Sequence, residues 1–234
     1  RRCGDNGGMS PHPSSPLDAD GSLNDAAQSL GLTLSAPQLA QLQHYAAQLE
    51  RWNRVYNLTA IRDPRGIQVQ HLHDCLAVVE PLRRQAAERG WSANLAVLDV
   101  GSGGGLPGAV LAVVEPGWSV TCVDTVAKKA MFIRQVSAEV GLPNLRAEHA
   151  RVENLAPKPW QVITSRAFAS LVDFVGLTRE LLAPGGVWMA MKGKVPDDEI
   201  AALPSDVEVF HVEPLSVPGL DAQRCIVWMR RRPA

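Results

Sequence analysis

Residues 95–108 read Leu95-Ala96-Val97-Leu98-Asp99-Val100-Gly101-Ser102-Gly103-Gly104-Gly105-Leu106-Pro107-Gly108. An apolar run of strand length leads into a glycine cluster, and an apolar segment of helix length follows. Glycine lets the backbone turn tightly and approach a ligand with no Cβ in the way. A proline such as Pro107 is tolerated in the first turn of a helix, and the N–H groups at that helix start are expected to attract anionic groups. The stretch therefore predicts a nucleotide-type cofactor site on an α/β sheet.

The spacing of the glycines narrows the choice of cofactor. A dinucleotide fingerprint needs glycine at the sixth position counted from Gly101, where this chain has Leu106. A P-loop needs Gly-Lys-Ser or Gly-Lys-Thr, and no such triplet follows. The remaining pattern is Gly-x-Gly-x-Gly after an acidic strand end, which is typical of class I S-adenosylmethionine methyltransferases. A glycine-rich turn that binds no ligand is the alternative.

Asp124 supports the cofactor interpretation. It ends a second apolar run, Val120-Thr121-Cys122-Val123, about 20 residues past the glycines. A carboxylate at that strand end can accept hydrogen bonds from both ribose hydroxyls. Taken alone, an aspartate at a strand end is more often a cap or a solvated turn residue. The spacing favours the ribose contact.

Length and composition describe a globular chain with one large or two small domains. Of its 234 residues, 46% are hydrophobic and 20% are charged, and the formal net charge is −1. A near-neutral chain has no overall attraction to nucleic acid, so any RNA contact has to be a local basic patch. No apolar run has the length of a membrane span, and the N-terminal residues lack the apolar stretch of a signal peptide. We therefore expect a cytoplasmic protein, in which Cys122 and Cys225 are reduced core thiols.

The patterning along the chain predicts three regions. Residues 1–20 are rich in Gly, Ser, Pro and Asp and are predicted to be a disordered tail, with Met9 as a candidate native start. Residues 21–90 are predicted to be a helical extension. Residues 91–234 alternate strand and helix and are predicted to be the methyltransferase domain, in one compact unit with the extension.

The helical extension is predicted to contain two long helices. The first begins at a capping box, Ser35-x-x-Gln38, and carries one apolar face. That face comprises Leu39, Leu42, Ala46, Leu49 and Trp52. After a turn at Asp63-Pro64, a second helix is predicted over residues 67–82.

The second helix carries His71, His73 and Asp74, which are potential metal ligands. Three ligands clustered on one helix leave the usual fourth ligand of a zinc site missing. We therefore expect no metal. A hydrogen bond between His71 and Asp74, three residues apart on one helix face, is the favoured interpretation.

The remaining chain alternates strands and helices. A strand is predicted to end at Asp124, followed by a helix over 126–140 and strands near 145–148 and over 161–164. A helix is then predicted from Ser170 to Leu182, followed by a strand over 187–191. The last predicted elements are an antiparallel pair of strands over 207–212 and 225–229. Pro184-Gly185-Gly186 is predicted to break the last helix. Such alternation predicts a doubly wound, Rossmann-like α/β sheet that binds ligands at the carboxyl ends of its strands.

An ordered set of motifs runs through the chain. It consists of Trp52-Asn53-x-x-Tyr56-Asn57-Leu58-Thr59, Arg62-Asp63, His71-x-x-Asp74, residues 99–108, Ser165-Arg166-Ala167 with Ala169-Ser170, and Leu182-Ala183-Pro184-Gly185-Gly186 through Lys192-Gly193. With this set the chain resembles the bacterial glucose-inhibited-division-B proteins, which are 16S ribosomal RNA guanine-N7 methyltransferases. The resemblance runs from about residue 30 to residue 227. It implies methyl transfer to a guanine of the small subunit, at position 527 in rRNA numbering.

The resemblance also implies site residues. The implied contacts with S-adenosylmethionine are Gly101, Leu106, Asp124, Thr125, Val126, Val152, Glu153 and Arg166, to which the glycine pattern adds Gly103. The implied partner is 16S rRNA in the small subunit or its assembly intermediate, bound by a monomer. Candidate RNA contacts are Lys192, Lys194 and Arg166, with Lys128, Lys129 and Arg134 as further cations near phosphates.

The chemistry of guanine N7 sets what the site needs. This nitrogen presents a lone pair and needs no deprotonation, so no general base is expected. Cytosine-C5 enzymes need a cysteine near the fourth strand and exocyclic-amine enzymes usually carry Asn/Asp-Pro-Pro-Tyr there, whereas this chain has Thr164-Ser165-Arg166-Ala167. Two alternatives stay open: a non-catalytic cofactor-binding module of ribosome assembly, and a methyltransferase acting on a small molecule.

Overall fold

The computed structural model describes residues 22–91, 93–166, 168 and 170–233. The predicted disordered tail, with Met9 and Cys3, lies outside these residues. The α-helices are α1 (Leu23–Ser29), α2 (Ala36–Tyr56), α3 (Pro64–Ile67), α4 (Asp74–Leu76), α5 (Val79–Glu88), α6 (Gly108–Val114), α7 (Ala127–Val140), α8 (Leu171–Thr178) and α9 (Asp197–Ala201). The strands are β1 (Ala96–Val100), β2 (Ser119–Asp124), β3 (Leu145–His149), β4 (Trp160–Ser165), β5 (Leu182–Lys192), β6 (Val207–Leu215) and β7 (Arg224–Arg231).

The strands of the described residues form one seven-stranded sheet in the order β3-β2-β1-β4-β5-β7-β6. The first five strands are parallel, and β7 pairs antiparallel with both β5 and β6. The order reverses beside β1, so the carboxyl ends of β1 and β4 flank the crevice where ligands bind in doubly wound sheets. The predicted Rossmann-like fold is confirmed.

Alternation along β1 supplies both faces of the sheet with core side chains, as a strand of period two must. Val97 belongs to a hydrophobic cluster that contains residues of α2, α5, α6 and α7, whereas Leu98 and Val100 belong to a second cluster with α8. Leu42 and Leu49 of α2 lie fully buried in the first cluster. The division into extension and domain stays a prediction, but the two share this cluster.

Local signals place most helix ends correctly. Ser35 accepts from the Gln38 N–H while the Gln38 side chain accepts from the Ser35 N–H, which confirms the capping box. Gly141 ends α7 at a φ of 75°, in the left-handed region that glycine adopts without a Cβ penalty. Ser170 likewise caps α8 by accepting from the Asp173 N–H.

The prediction of one helix over residues 67–82 is wrong. Residues Gln68–His73 are π-helical, α4 ends at Leu76, and α5 begins at Val79. Pro81 explains the break, because it has no N–H to donate and its ring clashes with the carbonyl of Ala77. The chain therefore bends at residues 77–78, and Leu82 bonds to Val78 in the new helix.

The predicted helix reaching Leu182 also ends early. After α8 the chain makes one 3-10 turn, Arg179–Leu181, and Leu182 already pairs with Trp160 of β4. Pro184-Gly185-Gly186 thus lies inside β5, where the register with β4 shifts, and does not end a helix. The short helix α9 was not predicted. Among the described residues, no helix has the length and apolar character needed to cross a membrane.

Candidate active site

The glycine turn after β1 uses its glycines in two ways. Gly101 and Gly103 have φ values of 65° and 59°, and a Cβ built on either meets no atom within 4 Å. These two positions therefore face open space. In contrast, a Cβ on Gly108 would lie 2.4 Å from the Cys122 sulfur, so this glycine lets α6 pack against β2. A Cβ on Gly104 would lie 2.8 Å from Leu49 of α2.

The N–H groups at the start of α6, which the sequence predicts to attract an anion, are paired within the protein. Gly108 donates to the Asp99 carboxylate and Ala109 donates to the Gly105 carbonyl. Gly101 and Ser102 donate to the Val123 carbonyl, and Gly105 and Leu106 donate to the Ser102 carbonyl. These four N–H groups of the turn are therefore already paired within the protein. They are not available to a ligand at this turn.

Asp99, near the end of β1, bonds to the start of α6. Its side chain is fully buried, and Oδ2 accepts from the Gly108 N–H at 2.8 Å. Oδ1 is buried with no hydrogen-bond partner among the described residues. Burial raises the pKa of Asp99 to about 7, and the hydrogen bond from Gly108 opposes that shift. The carboxyl is therefore partly protonated near neutral pH.

Asp124 joins the turns that follow β1 and β2. One carboxylate oxygen accepts from the Gly103 N–H at 2.9 Å, and the other accepts from the Val126 N–H at 2.9 Å. The side chain is 6% exposed and lies on the wall of a cavity. Asp124 is thus a cap for both turns, the role that sequence reasoning kept as its alternative. The ribose contact stays a prediction, because each oxygen has a second lone pair available.

Most of the predicted cofactor residues line one cavity of about 500 Å³ at the carboxyl ends of β1 and β2. They are Gly101, Asp124, Thr125, Val126, Val152 and Glu153. Gly103, Leu106 and Arg166 line a neighbouring cavity of about 160 Å³, and the two cavities share Gly101 and Lys129. The structure thus brings all nine predicted residues to one connected region. The Glu153 carboxylate accepts from Arg151 at 2.8 Å.

Several residues that line these two cavities were not among the predicted site residues. Phe168 and Leu177 line the larger one, while Leu49, Leu58 and Thr59 line the smaller one. The last three belong to α2 and the loop that follows it. Tyr45 of α2 also donates to the Gly104 carbonyl at 2.8 Å. The motif Asn57-Leu58-Thr59 is the signal in the sequence that marks this side of the cavity.

Arg166 is the centre of a hydrogen-bond network at the end of β4. Its Nη1 donates to the Gln70 carbonyl at 3.2 Å, and it lies 3.1 Å from His71 Nδ1 and 3.6 Å from the Asp74 carboxylate. The direct bond predicted between His71 and Asp74 is therefore replaced by Arg166, which lies between them. The π-helical turn changes the side-chain spacing from that of a regular helix.

The partners of Arg166 are buried and held on their other sides. His71 Nε2 lies 2.7 Å from the Thr59 hydroxyl, and Nδ1 lies 3.1 Å from both Arg166 Nη1 and the Gln70 carbonyl. Burial, together with Arg166, lowers the pKa of His71 to about 4. Asp74 is 3% exposed and also accepts from Arg224 Nε at 3.0 Å. Burial raises the pKa of Asp74 although both arginines lower it.

A third cavity of about 330 Å³ lies beyond Arg166. Gln70, His71 and Asp74 form one side of it, and Lys192 and Arg224 form the other. Arg166 lines both this cavity and the small one beside the glycine turn. No group of three or more His, Cys, Asp or Glu residues in the described part of the chain is arranged to hold a metal ion.

The family model of GidB, rRNA small subunit methyltransferase G, matches residues 38–227. The chain belongs to the GidB family. It is 60% identical to ribosomal RNA small subunit methyltransferase G of Methylibium petroleiphilum over 220 residues, which cover 93% of this chain and 98% of that relative. It is 64% identical to the protein of the same name from Leptothrix cholodnii over 206 residues, 88% of this chain and 93% of the relative.

Among solved structures, a mutant of the protein MtNAS superposes with a TM-score of 0.52 at 14% identity, over 90% of this chain and 76% of that one. At this identity the likeness shows the fold alone. The membership in the GidB family therefore rests on sequence.

The lysines predicted to contact RNA differ in their exposure and in their partners in this GidB protein. Lys192 Nζ donates to both Glu199 carboxylate oxygens, at 3.1 and 2.8 Å, so α9 neutralises its charge. Lys194 is exposed on the loop that follows. Lys128 lies over the Tyr56 ring at 4.8 Å, and Lys129 lies 3.9 Å from Asp124. The prediction of a phosphate contact is therefore better supported for the exposed Lys194 than for Lys192, which is paired with Glu199.

Proposed function

We propose that this protein transfers a methyl group from S-adenosylmethionine to N7 of a guanine in 16S rRNA, the guanine at position 527 in rRNA numbering. Membership in a family of rRNA small subunit methyltransferases supports the reaction. The observation that carries the site is the open glycine turn, where Gly101 and Gly103 face cavities that the other predicted cofactor residues also line. The proposed partner is the small subunit or its assembly intermediate, met by a monomer in the cytoplasm.

The residues around the turn fit S-adenosylmethionine. The larger cavity, with Asp124 and Glu153 as acceptors and Val126 and Val152 as apolar walls, suits an adenosine, which offers hydroxyl and amine donors. The smaller cavity, at Gly103 and Leu106, suits the methionine end. When bound, the cofactor's sulfonium supplies the methyl group. The protein contributes binding and orientation around it.

Positioning is the main contribution that this chain can make to the rate. Guanine N7 needs no proton removed, so the site has to hold this nitrogen about 3–3.5 Å from the methyl carbon, and such orientation supplies roughly 7–11 kcal/mol of barrier reduction. His71 is held neutral between Thr59 and Arg166, and Asp74 lies between two arginines. Both are placed to orient arginine side chains, not to accept a proton from the base.

The identity of the product is tested with labelled S-adenosylmethionine and small subunits from cells that lack the modification. We expect one labelled guanine, and aniline scission there after borohydride reduction, because the cationic ring of N7-methylguanine opens. Gly103→Val, which places a branched side chain in the methionine cavity, is the control for background label. Labelling without scission would contradict the N7 assignment.

The absence of a general base predicts a methylation rate that is nearly flat from about pH 6 to 9 in single turnover with both substrates saturating. His71, with a pKa of about 4, does not titrate in this range, but Asp99, with a pKa of about 7, does. Asp99→Asn is therefore measured alongside. A tenfold rise that follows one ionisation in both proteins would contradict the mechanism, since it would indicate a target nitrogen that must first lose a proton.

A further inference from the structure

The cavity beyond Arg166 is built from two distant parts of the chain. Its walls are the π-helical turn with Gln70, His71 and Asp74 on one side, and the ends of β5 and β7 with Lys192 and Arg224 on the other. Its volume of about 330 Å³ lies within the range of small-ligand pockets. Because Arg166 also lines the methionine end of the cofactor region, a group in this cavity is next to the reacting centre.

Arg224 and Arg166 each keep a guanidinium nitrogen that donates to no other described residue, whereas Lys192 is paired with a carboxylate. Lys192 donates to the Glu199 carboxylate, whereas Arg166 uses only Nη1, which donates to the Gln70 carbonyl and lies 3.1 Å from His71 Nδ1. Arg224 uses Nε for Asp74 and Nη1 for the Gln223 carbonyl, while its Nη2 donates to no other described residue. The Arg224 side chain is 25% exposed. The Arg224 guanidinium is therefore fixed through Nε and Nη1, while Nη2 is left as a donor.

Asp74 fixes both guanidinium groups of this wall. Its side chain is 4% exposed, with one carboxylate oxygen 3.0 Å from Arg224 Nε and the other 3.6 Å from Arg166 Nη1. A buried carboxylate with two cationic partners limits the orientations that the two arginines can take. The charge is compensated locally, so the free donor of Arg224 faces the cavity without a second carboxylate competing for it.

The chemistry of guanine matches such a donor. N7 and O6 lie on the same edge of the base, and both are acceptors. N7 has to stay free for the methyl group, so a side chain that recognises this edge can use only O6. An arginine donor suits O6 of guanine and opposes the N6 amine that adenine presents at the same place.

We propose that this cavity receives the target guanine, that Arg224 donates to its O6, and that Asp74 is the positioning residue for Arg224 and Arg166. The proposal rests on the function proposed above. It assigns to the reaction a residue of β7 that neither the motifs nor the glycine pattern indicated. It also explains why the helical extension contributes a wall to the site.

The test compares Arg224→Gln with Arg230→Gln. Both arginines lie on β7 and donate through Nε to a carboxylate, at 3.0 and 2.8 Å, but Arg230 does not line the cavity. Single-turnover methylation of unmodified small subunits is measured with saturating S-adenosylmethionine. We expect Arg224→Gln to lower the rate about tenfold or more, in the range of one good base contact, and Arg230→Gln to change it less than about twofold. Cofactor affinity, measured by calorimetry, should stay the same in both.

Salt dependence separates a base contact from a phosphate contact. A lost phosphate contact lowers the slope of log affinity against log salt by about 1, whereas loss of a contact with neutral O6 leaves the slope unchanged. An unchanged rate, or a slope lowered by about 1, would overturn the proposal. Asp74→Asn gives a second measurement, because it should lower the rate under the same saturating conditions by releasing Arg224. Activity of the wild-type protein on the same subunits reports separately on the proposed function.

Discussion

The candidate site has two walls: a cofactor wall, formed by the turn after β1 and the end of β2, and an opposite wall, formed by Arg166, Arg224 and their partners. The hydrogen bonds of the two walls join residues at very different separations along the chain. On the cofactor wall, Gly108 donates to Asp99 nine residues away and Gly103 donates to Asp124 21 residues away. On the opposite wall, Arg166 and His71 are 95 residues apart, and Arg224 and Asp74 are 150 apart. The first wall is a local strand-turn-helix unit with its neighbouring strand. The second exists only when the extension, β4 and β7 meet.

The difference between the walls shows where sequence reasoning works. Contacts within a strand-turn-helix unit follow from residue type and spacing, because the unit has only a few geometries. Contacts between distant elements depend on how those elements pack. Substitutions on the two walls are therefore expected to differ in the kind and size of their effects.

Gly103→Val should abolish measurable binding of S-adenosylmethionine. The new side chain would occupy the space at the cofactor wall where no atom now lies within 4 Å of an added Cβ. The matched control is Gly31→Val, since Gly31 has a φ of 77° and equally open space but lies far along the chain from the site. Calorimetry gives the affinities, and thermal unfolding gives the backbone strain, about 1–3 kcal/mol in either variant. Equal affinity in the two variants would remove the turn from the cofactor site.

The two walls should respond to pH in opposite directions. The folded state raises the pKa of Asp99 from its usual value near 3.9 to about 7, so its contribution to the unfolding free energy falls as pH rises from about 4 to about 7, by about 4 kcal/mol at most. His71, lowered to about 4, contributes stability that is complete above its unfolded pKa of about 6.5 and is lost towards pH 4, by about 3 kcal/mol at most.

Denaturant unfolding from about pH 4 to 8 measures both effects as differences from wild type. Asp99→Asn keeps an acceptor for the Gly108 N–H, and His71→Gln keeps a polar side chain. As pH rises through this range, the stability of wild type relative to Asp99→Asn should decrease. Over the same range, the stability of wild type relative to His71→Gln should increase. Parallel curves would show that the two buried groups do not titrate as their surroundings indicate.

Asp124→Ala should weaken cofactor binding by about 1.5–3 kcal/mol, the range for hydrogen bonds to a charged group. It also removes the acceptor of the Gly103 and Val126 N–H groups, so some loss of stability accompanies the effect. Asp25→Ala is the control, because Asp25 accepts a backbone N–H in the capping box of α1, away from the cavities. A change in affinity smaller than threefold would mean that Asp124 only caps the turns.

Lys194→Ala should have the smallest effect. Loss of one phosphate contact should weaken binding to small subunits modestly and lower the slope of log affinity against log salt by about 1. Lys158→Ala is the control, because Lys158 precedes β4, at the opposite edge of the sheet from the carboxyl ends of the parallel strands. Equal slopes for the two variants would exclude Lys194 as a phosphate contact.

Most of the fold was predictable because strands, caps and breaks are short-range features. The capping box at Ser35 and the end of α7 at Gly141 depend on a few neighbouring residues. The errors came from overlooked local chemistry and from pairing. Pro81 broke a helix that was predicted to continue. Leu182 was assigned to a helix although Trp160, on β4, pairs with it as a strand residue.

The candidate site divides in the same way. By itself, the sequence determined the glycine turn, the acidic end of β2 and the kind of cofactor they suit, because these depend on backbone freedom and on spacing within one βαβ unit. Only the tertiary structure decided that Lys192 is neutralised by Glu199, and that Arg166 and Arg224 share the buried Asp74. Those pairs join residues whose positions relative to one another are set by packing the extension and β7 against the sheet, and no local pattern encodes that packing.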